Sequence, residues 1–169
     1  DPYEYVGNPY LNPEVNNQFE LSFDQKFEKI NVGASVFYSF LRDYITAVVD
    51  ESIPRKYMPN QEPIYAKRFI NVDEAFQTGF ELYFNVNFTE EFSFLSDLAY
   101  TYGQNQVLDE PLPQIVPLTG HLSLNYDKKT YWFNLKSRLV AEQDRIAESF
   151  GETVTPGFAF MIIFEPVPI

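Results

Sequence analysis

Apolar and polar residues alternate along most of this chain, the period of a strand with unlike faces. The clearest stretch runs from Gly79 to Phe88. Phe80, Leu82, Phe84, Val86 and Phe88 share one side, and Gly79, Glu81, Tyr83, Asn85 and Asn87 the other. The same pattern predicts a first strand from about Asn17 to Phe27, with Phe19, Leu21, Phe23 and Phe27 opposite Glu20, Ser22, Asp24 and Lys26. After the tight reversal Glu28-Lys29, a second strand is expected from Ile30 to about Val49. Ile30, Val32, Ala34, Val36 and Tyr38 form its apolar face, and Phe37 interrupts the polar one. The third strand ends at Phe88, before the turn Thr89-Glu90-Glu91. The fourth spans Phe92 to about Gly103, with Phe94, Leu98, Tyr100 and Tyr102 in one register. Leu122, Leu124 and Tyr126 then oppose His121, Ser123, Asn125 and Asp127 in a fifth. Beyond the turn Lys128-Lys129-Thr130, Phe133, Leu135 and Leu139 oppose Asn134, Lys136 and Arg138, and a last apolar run covers Phe158 to Phe164. The opening residues, Asp1 to Val15, carry Gly7-Asn8-Pro9 and Asn12-Pro13 and suit an extended or turning segment.

The connections alternate short and long. The long ones run from Asp50 to about Tyr65, Gln104 to Pro117 and Glu142 to Pro156, rich in proline or charge. About ten residues tilted by roughly 45° cross an apolar band about 25 Å tall. Seven such strands, with all short turns at one end, predict an all-β, antiparallel transmembrane β-barrel with its apolar face outward. The short turns would face the periplasm and the long loops the exterior. Phe27, Phe88, Phe92, Tyr126, Tyr131 and Trp132 flank the short turns, where interfacial aromatic girdles lie.

Composition narrows the classes. The 169 residues are 45% hydrophobic and 18% aromatic, including 17 Phe and 12 Tyr, a bias that favours strands. No run reaches the roughly 18 apolar residues of a membrane helix. A mean hydropathy of -0.26 remains compatible with strands that are only half apolar. Without cysteine there is neither a disulfide framework nor a thiolate metal site. The net charge of -12 argues against a nucleic-acid partner and against basic attraction to anionic lipid. Asp1 opens a polar, Pro-containing stretch rather than a signal sequence, so a processed chain or a segment of a larger protein is expected.

Several motifs then resemble one family. Gly7-Asn8-Pro9-Tyr10-Leu11-Asn12-Pro13-Glu14 followed by Phe19-Glu20-Leu21 is similar to the GNPxLxPE segment of TonB-dependent receptors. Val36-Phe37-Tyr38 through Arg42-Asp43-Tyr44-Ile45 resembles that family's next strand. Asn71-Val72-Asp73-Glu74-Ala75 with Thr78-Gly79-Phe80-Glu81-Leu82 resembles its N-x-D-x-A…GFEL signature. Pro111-Leu112-Pro113 and Thr155-Pro156-Gly157-Phe158 also match in order and spacing. The resemblance implies residues 1–169 as one partial barrel domain of a Gram-negative outer-membrane active transporter. It implies no plug domain here, and a ligand such as a metal chelate, cobalamin or a glycan. The implied partners are outer-membrane lipid and lipopolysaccharide, the remaining barrel and plug, and the TonB system through that plug. The family's closing strands have no counterpart, and Glu165-Pro166-Val167-Pro168-Ile169 is poor strand material.

Candidate chemistry is sparse. His121 is the only histidine, so a triad would have to join it to Ser123 or Ser137 and a carboxylate. No metal-ligand spacing surrounds it. No catalytic, cofactor or metal residue is therefore expected, and ligand contacts stay unassigned. Glu20, Asp24, Lys26, Glu81, Asn85, Asn125, Asp127, Lys136 and Arg138 form the inward polar set, either a wet wall against a plug or a ligand path. The long loops hold Asp50, Glu51, Arg55, Lys56, Tyr57, Asp109, Glu110, Asp144, Arg145 and Glu148, suited to recognition or to bridging calcium to lipopolysaccharide. The alternatives are a small passive pore or structural barrel, and a soluble β-sandwich that binds ligand.

Overall fold

The computed structural model describes residues 3–57, 59–128 and 130–164. Its strands are β1 (Tyr5–Val6), β2 (Val15–Lys26), β3 (Ile30–Arg42), β4 (Tyr44–Pro54), β5 (Tyr65–Val72) and β6 (Ala75–Asn87). They continue with β7 (Phe92–Asn105), β8 (Glu110–Pro111), β9 (Thr119–Lys128), β10 (Tyr131–Val140) and β11 (Phe158–Phe164). Seven long strands form one antiparallel meander in the order β11-β10-β9-β7-β6-β3-β2, with β8 paired to the end of β7. That sheet is the seven-stranded wall the alternation implies, and it is open: β2 pairs with β3 alone and β11 with β10 alone among the described residues.

The register keeps like faces together, because cross-strand partners point the same way. Leu21 faces Val36, Val36 faces Phe80 and Phe80 faces Tyr100. One side of the sheet is thus continuously apolar, and Phe19, Leu21 and Phe23 on β2 are 60–75% exposed on it. The other side collects the polar set, including every residue of the inward list. Phe37 sits on this polar side opposite Gly79. Its ring fills the space a side chain there would occupy, since a Cβ on Gly79 would lie 2.7 Å from it. The glycine lets one large ring share a tight polar row.

Two expected strands are corrected. The strand expected from Ile30 to Val49 is two, β3 and β4, broken at Asp43, whose φ of 53° is left-handed and cannot continue a pleat. The return strand ending near Phe88 is likewise two, β5 and β6, separated at Asp73-Glu74. Between these breaks β4 and β5 leave the wall as a hairpin, pairing from Tyr44↔Val72 to Asp50↔Ala66. β1 joins β5 in parallel, so the hairpin belongs to a separate three-stranded sheet at the long-loop end. The connection expected over residues 50–65 shrinks to 55–64. The first strand begins at Val15 and stops before Phe27, whose N–H closes the turn onto the Ile30 carbonyl at 2.7 Å. Lys129 in the third short turn, and the expected break over Glu165–Ile169, lie outside the described residues.

A sheet with one apolar and one polar face encloses little by itself. The buried cluster is Leu41, Ala75 and Leu112, with Tyr44 and Ile115 against it. Leu112 arrives from the second long connection, its N–H donating to the Gly103 carbonyl at 3.2 Å. A Cβ on Gly103 would crowd Leu112 and Ile115 at 2.9–3.0 Å. That connection therefore folds back over the polar side of the wall.

Candidate functional site

The polar face is organised in rows that run across the strands. In one row the register aligns Asp24, Gly33, Tyr83, Asp97, His121, Arg138 and Phe160, one from each of the seven wall strands. Neighbours in a row stand about 4.8 Å apart along the sheet. The Tyr83 hydroxyl donates to the Asp24 carboxylate by a short hydrogen bond. His121 Nδ1 lies 2.7 Å from Asp97 Oδ2. Both side chains stay about half exposed, so this hydrogen bond is a wet one of small energetic worth.

Arg138 is placed differently. Its Nε is buried and has no hydrogen-bond acceptor among the described residues. A buried, unpaired donor on a charged group costs about 1–3 kcal/mol or more. Arg138, Lys136, His121 and Asp97 line a cleft of about 540 Å³, with Phe160 and Ile162 of β11 as an apolar lip and Leu95 of β7 at the far side. The apolar lip exists because β11 is apolar on both sides, so Phe160 and Ile162 face inward opposite Arg138 and Lys136. Two rows from Arg138, Asn134 donates to Asn125, and Asn125 donates to Ser93 at 3.3 Å.

The serines considered with His121 are not assembled around it. Ser123 donates to Asn125 Oδ1 at 3.3 Å, and Ser137 donates to the Phe160 carbonyl at 3.2 Å. Asp97 is the carboxylate beside His121, in register between Tyr83 and His121, and the inward list omits it. Among the described residues no group of three or more His, Asp or Glu side chains could hold a metal ion.

At the long-loop end, the motif residues tie the opening segment to the hairpin root. Asn71 Nδ2 donates to the Asp43 carbonyl at 2.6 Å and to the Asn12 carbonyl at 3.1 Å, while its Oδ1 accepts the Asn12 N–H at 2.8 Å. Asn8 Nδ2 donates to the Phe69 carbonyl at 3.1 Å, and Glu14 accepts the Ile45 N–H at 3.2 Å. Of these groups, the Asp43 carbonyl and the Ile45 N–H stand at the left-handed break, where Asn71 and Glu14 satisfy them. Further along, Glu4 accepts the N–H groups of Lys56 and Tyr57 at 2.8 and 2.7 Å and pairs with Arg55 at 3.5 Å. Burial pushes the Glu4 carboxyl up, but those two N–H donors and the Arg55 guanidinium outweigh it and hold the group below its ordinary value.

Lys67 on β5 is fully buried. Its Nζ lies 4.0 Å from the Tyr3 ring centroid, 5.6 Å from Tyr5 and 5.7 Å from Phe150, within cation–π range. Burial lowers its pKa, and the Glu110 carboxylate partly opposes that. Glu110 in turn accepts the Ser149 hydroxyl in a short hydrogen bond. Arg145 lies 3.5 Å over the Tyr102 ring and donates to Gln104 at 2.7 Å. Through these contacts the third long connection, with its short 3₁₀ turn Glu148–Phe150, is bound to both other loops. No spacing rule pointed to Lys67; its role depends on residues more than 60 positions apart.

The family profile described as TonB dependent receptor-like, beta-barrel, matches residues 1–161. The chain belongs to that TonB-dependent receptor family. Among solved structures, the copper transporter OprC matches with a TM-score of 0.78 and 25% identity, over 90% of this chain and 23% of its own. The FrpB iron transporter from Neisseria meningitidis matches with a TM-score of 0.66 at 15% identity, over 96% of this chain and 26% of its own. The siderophore receptor PirA from Pseudomonas aeruginosa matches with a TM-score of 0.66 at 16% identity, over 94% of this chain and 24% of its own. This TonB-dependent receptor chain thus spans about a quarter of the length of these solved relatives. No curated protein sequence matches it. A transmembrane barrel turns its apolar face to lipid and its polar face to the lumen, so the polar rows lie on the lumen side.

Proposed function

We propose that this chain forms part of the barrel wall and the ligand-side loops of an outer-membrane active transporter, with residues 1–169 as one partial barrel domain. The observation that carries this reading is the open seven-stranded wall, apolar on one face and polar on the other, together with its fit to barrels four times longer. The short turns then face the periplasm, and the β4–β5 hairpin and the two other long connections face the exterior. The role is transport, the activity named for the matched copper and iron transporters. The partners of the complete receptor are outer-membrane lipid and lipopolysaccharide, a plug inside the barrel, and the TonB system acting through it.

The transported cargo is a metal-bearing ligand, the class to which copper, iron and siderophore in the neighbours' names belong. Cobalamin and glycans are the other scarce-ligand classes. Uptake by cells that carry the full-length receptor gene tests the reading. Radiolabelled copper or ferric siderophore should accumulate only with the gene and only with an energised inner membrane. Uptake that persists after the inner membrane is de-energised would favour a passive pore.

A further inference from the structure

We infer that residues 144–154 form a strap that holds the second long connection closed over the lumen mouth, with the Glu152 carboxylate as its clasp. The inference rests on the lumen placement of the polar face and not on the identity of the cargo.

The strap is a closed loop. Gln143 and Thr155 exchange backbone hydrogen bonds at 2.9 and 3.1 Å, so the third long connection returns to its own start and residues 144–154 project from that bridge. Arg145 anchors its first part to the end of β7 through the Tyr102 ring and Gln104. Ser149 meets the Glu110 carboxylate on β8 with both its N–H and its hydroxyl. Glu152 then joins the two connections directly. One of its carboxylate oxygens accepts the Gln114 N–H at 2.6 Å, and the other accepts the Ala147 N–H at 2.8 Å. Beside it, Gln143 Nε2 donates to the Ile115 carbonyl at 3.0 Å.

The segment under the strap is strained, and it covers apolar surface. Gln114 has a φ of 62°, a left-handed conformation that a residue with a side chain disfavours, and Glu152 binds its N–H there. Two residues earlier, Leu112 is 1% exposed against Leu41 and Ala75 on the polar side of the wall. Lifting residues 111–117 would relax Gln114 and uncover that cluster. The Glu152–Gln114 bond faces solvent, so water replaces it at small net cost once the connection moves. A strained cover held by solvent-facing bonds is a closure suited to release. Because one carboxylate bonds both connections, they release together.

Hydrogen exchange in purified full-length receptor, read by mass spectrometry, tests the coupling. Glu152→Gln can accept from only one of the two N–H groups and turns its amide NH2 toward the other. It should speed exchange about tenfold or more in both 110–117 and 144–154, and leave Thr119–Lys128 unchanged. Ser149→Ala breaks a different tie and should loosen the same two segments; it carries the test should Glu152→Gln fail to fold, which heat-modifiable migration on gels checks. Lumen access is read in a His121→Cys background, since His121 lies near the start of β9 with its side chain half exposed in the cleft. A membrane-impermeant maleimide added to intact cells should label position 121 about threefold faster or more when either strap variant is present. Acceleration in one segment only, or in neither, overturns the strap. So does an unchanged labelling rate when both segments loosen. Cargo uptake is measured separately, so failure of the transport reading would leave the exchange result standing.

Discussion

Tyr83 donates its hydroxyl to Asp24 across an intervening strand, and it can do so because Gly33 on that strand has no side chain. A Cβ on Gly33 would overlap the Tyr83 ring itself. The three residues form one unit on the lumen face, with the glycine as the gap through which the ring reaches. Gly33→Ala should displace the ring, break the bond to Asp24 and cost about 1 kcal/mol, the usual net worth of one hydrogen bond. In a Tyr83→Ala background the same substitution should be close to neutral, because nothing remains to displace. Urea unfolding of the full-length receptor in all four states of this double-mutant cycle measures the coupling. Equal costs in both backgrounds would show that the glycine serves another purpose.

The apolar face makes the second prediction. Leu82 is 42% exposed and lies in register with Ala34 and Leu98, in the middle of the wall. Leu82→Arg should cost roughly 2–4 kcal/mol near the bilayer midplane. Asn85→Ser, on the lumen side, should be mild. A spin label at position 82 should report lipid and one at position 85 water; the reverse pattern would exchange the assigned faces.

The loops should not be equally open. Residues 55–64 form the tip of the β4–β5 hairpin, while Leu112, within the second connection, is only 1% exposed. Protease added to intact cells should cut first within 55–64 and much more slowly within 110–115. The Thr89–Glu91 turn should be protected throughout. Early cleavage at that turn would invert the topology.

Acid should loosen the tie between the opening segment and the hairpin tip. Glu4 has a folded-state pKa below its ordinary value of 4.5, so it binds protons less readily folded than unfolded. Its contribution is complete above the ordinary value and disappears as pH falls through the lowered one. Amide exchange at Lys56 and Tyr57, the two N–H donors to Glu4, should accelerate over that acid window relative to Glu4→Gln. That variant should show weaker protection at neutral pH and no titration. A wild-type profile identical to the variant's would remove Glu4 from the tie.

How much of this was legible in the chain follows from where each feature is encoded. The wall was readable because a period of two is local: Gly79 to Phe88 declares both faces within ten residues, and the register preserves them. The breaks at Asp43 and Asp73 were not, because the apolar pattern runs on through them. What stops the strand is a left-handed backbone at Asp43, whose carbonyl accepts from Asn71 and whose carboxylate accepts from Asn12. The motif Asn71-Val72-Asp73 marked the family without revealing that its asparagine clamps a hairpin root. In the cleft, the alternation placed Lys136 and Arg138 inward correctly. The apolar inner face of β11 was invisible in that sense, since an unbroken run from Phe158 to Phe164 does not say which side is wet.

The sheet edges carry the last prediction. Among the described residues β2 has one hydrogen-bonded neighbour, β3, and β11 has one, β10, so each presents a row of backbone donors and acceptors along its other side. In hydrocarbon each unsatisfied group costs several kcal/mol, which no side-chain arrangement can offset. Twelve residues of β2, every one exposed, make the longer of the two open edges. Curling seven strands into a closed barrel would also leave a lumen filled by side chains, with no room for the loop that now covers Leu41 and Ala75. Residues 1–169 produced alone should therefore aggregate or pair edge to edge, whereas the full-length receptor should be monomeric and protected at both edges. Amide exchange along β2 distinguishes the states: slow in the full receptor, fast or concentration-dependent in the isolated segment. A monomeric, closed, ion-conducting barrel formed by residues 1–169 alone would refute the partial-wall reading and leave the small pore in its place.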